Sequence, residues 1–214
     1  MLPYLAAAGI GRIGIIDDDT VSVSNLQRQV IYARDDAGKS KAALAAQRLK
    51  ALNPDCQIDV IEQRLSPANA DALVRGYAVA ADGSDNIEAR LALHDACFRA
   101  GIPLVSGAAQ GMDGQLTTYF AYQGAPHPCL RCLSGGADPQ GDDLPSCAQA
   151  GVLGPLVGVM GTLQAVEVIR VIAGIGAPRS GKLTLFDAAT LEVEVMGFKR
   201  LQACDQNCRY LPEI

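Results

Sequence analysis

The chain has no long hydrophobic run, no excess of positive charge and no basic segment at its N-terminus. A membrane-spanning helix needs about 18 or more consecutive apolar residues. The most apolar stretch, 152–172, is interrupted by glycine, proline, glutamine, glutamate and arginine. The net charge of −5 and the pI near 5.0 do not suit nucleic acid or an anionic membrane, because both attract basic surfaces. We therefore predict neither a membrane span nor a nucleic-acid partner.

A secretory signal and a disulfide framework are also missing. The first residues, M-L-P-Y-L-A-A-A, carry no basic residue ahead of the apolar ones, so no signal peptide is predicted. The chain has seven cysteines, and this odd number favours free thiols, metal ligands or catalysis over paired disulfides. We predict a cytoplasmic protein.

The length and the apolar pattern are typical of one α/β domain. A chain of 214 residues buries roughly 70% of its unfolded surface around one core. The pattern predicts helices at 3–8, 40–52, 66–75, 87–100 and 159–173, and strands at 13–16, 57–62, 77–81, 103–107, 114–122, 182–187 and 192–199. This alternation predicts a Rossmann-like, mainly parallel sheet with helices on both faces, followed by antiparallel C-terminal strands.

The strand at 13–16 ends in consecutive aspartates, Asp17, Asp18 and Asp19. In open α/β sheets, ligands bind at the carboxyl ends of strands, and an acid that ends the second strand commonly accepts the ribose hydroxyls. Asp17 is the candidate for that position, and Asp18 and Asp19 are interpreted as solvated or helix-capping carboxylates. Cations follow at Arg28 and Lys41. An acid for the sugar with two cations nearby indicates a site for a phosphorylated nucleoside.

The same stretch, D-x-D-T-V-x-x-S-N-L-Q-R-Q, resembles the MoeB/ThiF/HesA group of adenylyltransferases, which activate ubiquitin-like sulfur carriers. The resemblance implies ATP as substrate, with Asp17 at the ribose, Arg28 and Lys41 at the phosphates, and Asn25 orienting them. The segments L-V-S-G-A-A, M-D-G-Q and S-G-K-L-T-L-F-D-A are closer to the molybdopterin-synthase branch than to the thiamine branch.

The resemblance also implies partners. These are a β-grasp sulfur-carrier protein, whose C-terminal glycine is adenylylated for molybdenum cofactor or thiamine biosynthesis, and a sulfur donor such as a cysteine desulfurase or a rhodanese. Members of this group that have a similar size are typically homodimers.

A second acidic position follows the strand at 77–81. In the related group the corresponding segment reads T-D-N, and its aspartate holds the Mg²⁺ that bridges the phosphates. Here the segment is Ser84-Asp85-Asn86, so the resemblance assigns magnesium to Asp85. Without the resemblance, Ser84 and Asp85 are a plausible N-cap pair for the helix at 87–100.

Two cysteine pairs have metal-ligand spacing. Cys129 and Cys132 form C-x-x-C, and Cys204 and Cys208 form C-x-x-x-C near the C-terminus. Four thiolates in two close pairs can complete a tetrahedral zinc site, and its role would be structural because a closed site has no position for water or substrate. The alternative is a redox pair at Cys129 and Cys132.

The other cysteines and the histidines carry separate expectations. Cys56 and Cys97 are interpreted as ordinary core thiols. Cys147 lies in a loop, and in the thiamine branch the cysteine at this place forms a covalent link to the carrier. It is therefore either a covalent residue or an exposed loop thiol. His94 and His127 are assigned to no catalytic role.

One element of the related group is missing from the sequence. A Rossmann-type unit places a strand and a glycine-rich turn about 20 residues before the ribose acid. The count back from Asp17 puts that turn before Met1, where the group has a G-x-G-G-L-G loop that cradles phosphates. We therefore expect 1–214 to be a single domain of the ThiF/MoeB type that is incomplete at its N-terminus, through truncation or as a degenerate paralogue.

Two other functions fit part of the pattern. An inactive, truncated paralogue would bind a ubiquitin-like protein without using ATP. A nicotinamide-dependent oxidoreductase would share the acid at the end of the strand. An oxidoreductase of this kind does not need an arginine and a lysine at the phosphates. It does not need a four-cysteine cluster either.

Overall fold

Helices and strands alternate along residues 1–136 and 151–204, which are the residues that the computed structural model describes. The helices are α1 (Leu2–Ala7), α2 (Lys41–Leu52), α3 (Ala70–Val74), α4 (Ile87–Ala100), α5 (Leu130–Leu133) and α6 (Gly154–Ala173). The strands are β1 (Arg12–Ile16), β2 (Gln57–Ile61), β3 (Ala80–Asp82), β4 (Leu104–Gln110), β5 (Asp113–Tyr119), β6 (Lys182–Asp187) and β7 (Glu192–Gly197).

The strands form two sheets. β1 and β2 pair in parallel, and a second sheet has the order β3-β4-β5-β6-β7. In the second sheet β3 and β4 are parallel, whereas β5, β6 and β7 are added antiparallel. This confirms the predicted α/β class and the antiparallel C-terminal strands. Within the described residues no ladder joins β1 to β3, so the parallel strands are divided between the sheets.

One hydrophobic cluster joins the two sheets. Ile13 and Ile15 of β1 belong to the same buried cluster as Val105 of β4 and Leu116 of β5. Helices α1, α2 and α6 supply much of the rest, namely Leu5, Ala6, Ala42, Ala45, Ala46, Leu49, Leu156, Met160, Ala165 and Val168. The packing of apolar side chains therefore holds the sheets in one core without backbone pairing between them.

Several predicted boundaries were wrong. Helix α3 begins at Ala70 rather than after Ser66, because Asn69 Oδ1 accepts the backbone N–H of Ser66 and closes a turn first. Helix α6 begins at Gly154, five residues before the predicted Val159, since Pro155 is compatible with a first helical turn. The strand predicted at 77–81 is shorter in the structure and ends one residue later, at Ala80–Asp82.

One face of helix α6 packs on the core, although the helix is apolar along most of its length. By length and composition alone it could cross a membrane, with 20 residues and a mean hydropathy of 1.7. Two polar side chains within it are nevertheless buried and bonded to the sheet. Gln164 Nε2 donates to the backbone oxygen of Asp82 at 2.6 Å, and Glu167 Oε1 accepts from Thr118 Oγ1 at 3.1 Å. These bonds fix the rotation and the register of α6 on the sheet.

The contact between α6 and the sheet depends on a glycine of β4. An added Cβ atom at Gly107 would lie 2.6 Å from Cδ of Gln164 and 2.8 Å from its Nε2. Such an atom displaces the Gln164 side chain and breaks its hydrogen bond to Asp82.

We expect Gly107→Ala to lower the free energy of unfolding by about 1–3 kcal/mol, because it overpacks the contact and leaves a buried carbonyl without its donor. Urea unfolding of both proteins measures this difference. The matched control is Gly158→Ala on α6, where nothing lies within 4 Å of an added Cβ atom. The control should keep or slightly raise stability, since alanine favours helix. Equal stability of Gly107→Ala and the wild type would contradict the prediction.

Candidate functional site

Asp17 follows β1 directly, as the sequence predicts. Its backbone N–H donates to Ile61 O at 3.2 Å, and its Oδ1 accepts the N–H of Asp19 at 2.9 Å. Burial raises the pKa of the half-buried Asp17 carboxyl, while the Asp19 N–H and the charge of Lys41 oppose that rise. Within the described residues no other hydrogen bond reaches this carboxylate. Asp17 Oδ2 can therefore accept a ligand hydroxyl.

Lys41 is the first residue of α2 and is almost fully buried, with 4% of its surface exposed. The Oγ of Ser40 caps this helix by accepting the N–H of Ala43 at 3.2 Å. The Nζ of Lys41 donates to Asp19 Oδ2 at 2.7 Å, and the Asp19 side chain is 67% exposed. Asp19 was interpreted as a solvated or capping carboxylate. It is solvated, but it also pairs with the candidate phosphate-binding lysine.

Asn25 and Arg28 lie on one tight turn. Asn25 ends a short 3₁₀ helix, Val23–Asn25, and its backbone oxygen accepts the N–H of Arg28 at 3.0 Å and of Gln29 at 2.9 Å. The guanidinium of the half-buried Arg28 makes no ion pair within residues 1–136 and 151–204. Most other buried or half-buried cations of the described part have a carboxylate partner. Within the described part of the chain, Arg28 is thus a half-buried cation with no carboxylate partner.

Asp85 lies beyond the end of β3 and is exposed. The prediction that Ser84 and Asp85 cap α4 was wrong. The N-cap is Asn86, whose Oδ1 accepts the N–H groups of Glu88 at 2.8 Å and Ala89 at 3.2 Å. Because Asn86 performs the capping, the carboxylate of Asp85 is not needed by the helix. Its oxygens suit a hard cation such as Mg²⁺.

Asp82, the last residue of β3, was not among the predicted site residues, and it is only 3% exposed. Its Oδ2 accepts from Arg90 Nε at 2.7 Å and from Ser106 Oγ at 2.9 Å, and its Oδ1 accepts the N–H and the hydroxyl of Ser84 at 2.9 and 2.6 Å. A second nitrogen of Arg90 donates to the Ser84 carbonyl at 2.8 Å. This network fixes the loop that carries Asp85. A charged residue at the end of an apolar strand was its signal in the sequence.

Three of the four predicted zinc ligands meet in the structure. The Sγ atom of Cys129 lies 3.6 Å from that of Cys132 and 3.7 Å from that of Cys204. Tetrahedral zinc with Zn–S bonds of 2.3 Å places its sulfurs about 3.8 Å apart, so the cluster has the spacing of such a site. The fourth predicted ligand, Cys208, lies outside the described residues.

Other side chains support the cysteine loop from α4. His94, 1% exposed, accepts the N–H of Leu130 on Nε2 at 3.3 Å, and its Nδ1 lies 3.0 Å from Asp95 Oδ1. Arg131 donates to both oxygens of Asp95 at 2.6 and 3.0 Å. Burial works against ionisation of Asp95, but the bonds from His94 and Arg131 prevail and lower its pKa. His94 therefore has a structural position, consistent with its lack of a catalytic assignment.

The remaining cysteines divide into two groups. Cys56 and Cys97 are buried, 1% and 2% exposed, which confirms that they are core thiols. Burial raises the pKa of Cys97 to about 12, so this thiol stays protonated. Cys147, the candidate covalent residue, lies outside the described residues.

Comparisons with known proteins agree with this arrangement. The chain is 42% identical over 206 residues to a sulfur carrier protein adenylyltransferase of Thermus thermophilus, covering 95% of this chain and 76% of that protein. It is 42% identical to a molybdopterin-synthase adenylyltransferase of Escherichia coli, covering 94% and 79%. It is 48% identical to the adenylyltransferase and sulfurtransferase MOCS3 of Sus scrofa, covering 86% of this chain and 40% of that protein.

A solved structure supports the fold. The E. coli protein MccB superposes with a TM-score of 0.82 at 20% identity, over 99% of this chain and 62% of that one. The chain thus spans less than two thirds of that protein. The sequence pattern of the family described as ThiF matches residues 1–209. With this match and relatives above 40% identity, the chain belongs to the ThiF family.

Proposed function

We propose that the protein catalyses the ATP-dependent adenylylation of the C-terminal glycine of a ubiquitin-like sulfur carrier. Relatives named sulfur carrier protein adenylyltransferase and molybdopterin-synthase adenylyltransferase support this reaction. The observation that carries the proposal is the pair of cations after β1. Lys41 is buried against an exposed, exchangeable carboxylate, and Arg28 has no carboxylate partner within the described residues.

The reaction is a nucleotidyl transfer. A carboxylate oxygen of the carrier attacks the α-phosphorus of ATP, the bond from that phosphorus to the bridging oxygen breaks, and pyrophosphate leaves with the electron pair. The product is an acyl-adenylate. A persulfide of the sulfur donor then attacks the acyl carbon, AMP leaves with the electron pair of the C–O bond, and a thiol reduces the resulting acyl disulfide to the thiocarboxylate. The attacking carboxylate is already ionised at neutral pH, so the protein needs no general base. Its task is to align two anions and to neutralise the charge that collects on the phosphates.

Each side chain of the site has a part in that task. Asp17 accepts the ribose hydroxyls on its open oxygen. Arg28 binds the phosphates with its planar fork, and Lys41 binds them as a compact charge, so the two are not interchangeable. Asn25 orients the phosphates beside Arg28. For Lys41 to reach a phosphate, its ammonium must leave Asp19, and the exposed Asp19 carboxylate can turn toward water.

Asp85 is the proposed ligand of Mg²⁺. A carboxylate oxygen on a loop that Asp82 and Arg90 hold in place suits this cation. When bound, the ion supplies positive charge at the phosphates. The side chains of Asp82 and Arg90 keep Asp85 at a constant position.

The proposed reaction requires a carrier protein and a sulfur donor. The carrier is a β-grasp protein of molybdenum cofactor or thiamine biosynthesis, and the sulfur donor is a cysteine desulfurase or a rhodanese. We propose a cytoplasmic homodimer. Cys147 either links covalently to the carrier or is a loop thiol, and its replacement by alanine distinguishes the two.

We expect Arg28→Ala and Asp85→Ala each to lower ATP–pyrophosphate exchange by about 10²-fold or more, because the first removes a cation from the phosphates and the second removes the proposed ligand of Mg²⁺. The assay contains Mg²⁺ and the small subunit of molybdopterin synthase as carrier. Arg28→Lys should have intermediate activity, since it keeps the charge and loses the fork.

The matched controls are Arg99→Ala and Asp71→Ala. These residues pair with each other on the surface, and Arg99 lies at the far end of α4 from Asp85. Both controls should exchange at the wild-type rate. Near-normal exchange by Arg28→Ala or Asp85→Ala would refute its role. A wild-type protein that binds the carrier without any exchange would favour the alternative of an inactive paralogue, which binds a ubiquitin-like protein without using ATP.

We also propose that Cys129, Cys132, Cys204 and Cys208 hold one structural zinc ion. Zinc binds cysteine as thiolate, so these four thiols must release their protons when the ion binds. Removal of one thiolate leaves the ion incompletely coordinated, and the loop at 129–132 loses its connection to the C-terminal segment.

We expect the purified protein to contain about one zinc ion per chain, as a four-thiolate site requires. Elemental analysis should find much less zinc in Cys129→Ser, and its thermal midpoint should fall. Cys56→Ala removes a buried thiol outside the cluster and should retain the metal. Wild-type protein without zinc, in which Cys129 and Cys132 readily form a disulfide, would support the redox alternative instead.

A further inference from the structure

The start of helix α6 lies directly against the turn that carries Arg28. An added Cβ atom at Gly154 would lie 2.0 Å from the backbone oxygen of Gln27 and 2.8 Å from its Oε1. Non-bonded carbon and oxygen atoms do not approach this closely, because the optimum separation is about 3.5 Å. The backbone of Gly154 therefore fills a space that no side chain can share.

The oxygen that faces Gly154 belongs to the peptide group between Gln27 and Arg28. The nitrogen of the same group is the amide of Arg28, which donates to Asn25 O at 3.0 Å. One edge of this planar group is thus held by the turn and the other edge by helix α6. Any displacement of the oxygen rotates the plane and moves the Cα atom of Arg28.

The helix itself is fixed on its other side. The N–H of Leu153 donates to Gly111 O at 2.9 Å, and the N–H of Gly111 donates to Gly151 O at 3.0 Å, so the segment before α6 pairs with the turn between β4 and β5. Further along the helix, Gln164 holds Asp82. Because α6 cannot withdraw without breaking these bonds, an added atom at Gly154 displaces the turn.

We propose that Gly154 is a positioning residue for Arg28. Because glycine has no side chain, the turn can lie close to α6, and this close approach sets where the guanidinium lies in the nucleotide site. The proposal rests on the proposed function of Arg28 at the phosphates of ATP. Gly154 begins helix α6 and precedes Pro155, so an alanine there would also crowd the proline ring, because proline disfavours a helical conformation in the residue before it. The shorter contact of an added Cβ atom is the one with the Gln27 backbone oxygen, and it is this contact that displaces the turn. Gly158, one turn later, has no such contact.

The test is a double-mutant cycle on adenylation. We expect Gly154→Ala to lower kcat/KM for ATP by about tenfold or more, because small misplacements of a binding group have large effects. Gly158→Ala should stay within about twofold of the wild type. When Arg28 is already alanine, Gly154→Ala should change the rate by less than about twofold, since coupled residues are not additive. A further loss as large as in the wild-type background would overturn the proposal.

A second readout does not depend on activity. In the nucleotide-free protein, the side-chain ¹H–¹⁵Nε signal and the amide exchange rate of Arg28 should change in Gly154→Ala and remain unchanged in Gly158→Ala. Unchanged Arg28 signals in Gly154→Ala would overturn the proposal even if activity were lost. A wild-type protein without adenylation would refute the proposed function, while the NMR comparison would still decide the position of Arg28.

Gly154→Ala could also prevent folding, which thermal unfolding would reveal. Pro155→Gly then serves as the second variant, because it loosens the first turn of α6 without adding an atom. We expect faster amide exchange at Arg28 and weaker ATP binding in this variant. If the Arg28 amide and the ATP affinity both stay at their wild-type values in Pro155→Gly, Gly154 does not position Arg28.

Discussion

The buried ion pair between Asp82 and Arg90 is the constraint on which the candidate site depends. A charge with so little exposure is tolerated only with a partner and several hydrogen bonds. Asp82 obtains these bonds from α4 through Arg90, from β4 through Ser106 and from its own loop through Ser84. Its backbone oxygen binds Gln164 of α6 as well. Four parts of the fold therefore converge on one residue, and the loop that carries the proposed magnesium ligand begins immediately after it.

The class of the fold could be predicted from the sequence, because apolar periodicity and turn residues are local signals. The strand at 13–16 and the acid at Asp17 are examples, and the approach of Cys204 to Cys129 and Cys132 was predicted from spacing together with the resemblance. The division into two sheets could not be predicted, since strand pairing depends on the arrangement in space. Boundaries failed where a side chain closed a competing turn, as at Asn69. The roles of Asp19 and Asp82 were missed because each depends on a partner from another element, Lys41 of α2 or Arg90 of α4.

The charged groups of the site keep the buried Lys41 paired with an anion. Without a nucleotide, Asp19 satisfies the buried ammonium of Lys41, while Asp17 keeps an oxygen open. In the proposed reaction, an incoming phosphate would replace the Asp19 carboxylate as the partner of Lys41, so the buried cation would always have an anion beside it. Exchange at an exposed carboxylate avoids the large penalty of an uncompensated charge. Arg28 differs from Lys41. Its proposed contact with a phosphate would form without the loss of a carboxylate partner from the described residues.

Helix α6 contacts the site at two points separated by a fixed number of residues. Gly154 meets the turn before Arg28, and Gln164 meets Asp82 ten positions later, about 15 Å along the axis and nearly three turns away. One inserted or deleted residue between them would rotate one contact by roughly 100° relative to the other. Related chains should therefore vary freely in the side chains on the outer face of this segment and hardly at all in its length. The length of α6 between Gly154 and Gln164 therefore sets the distance between the turn of Arg28 and the loop of Asp82.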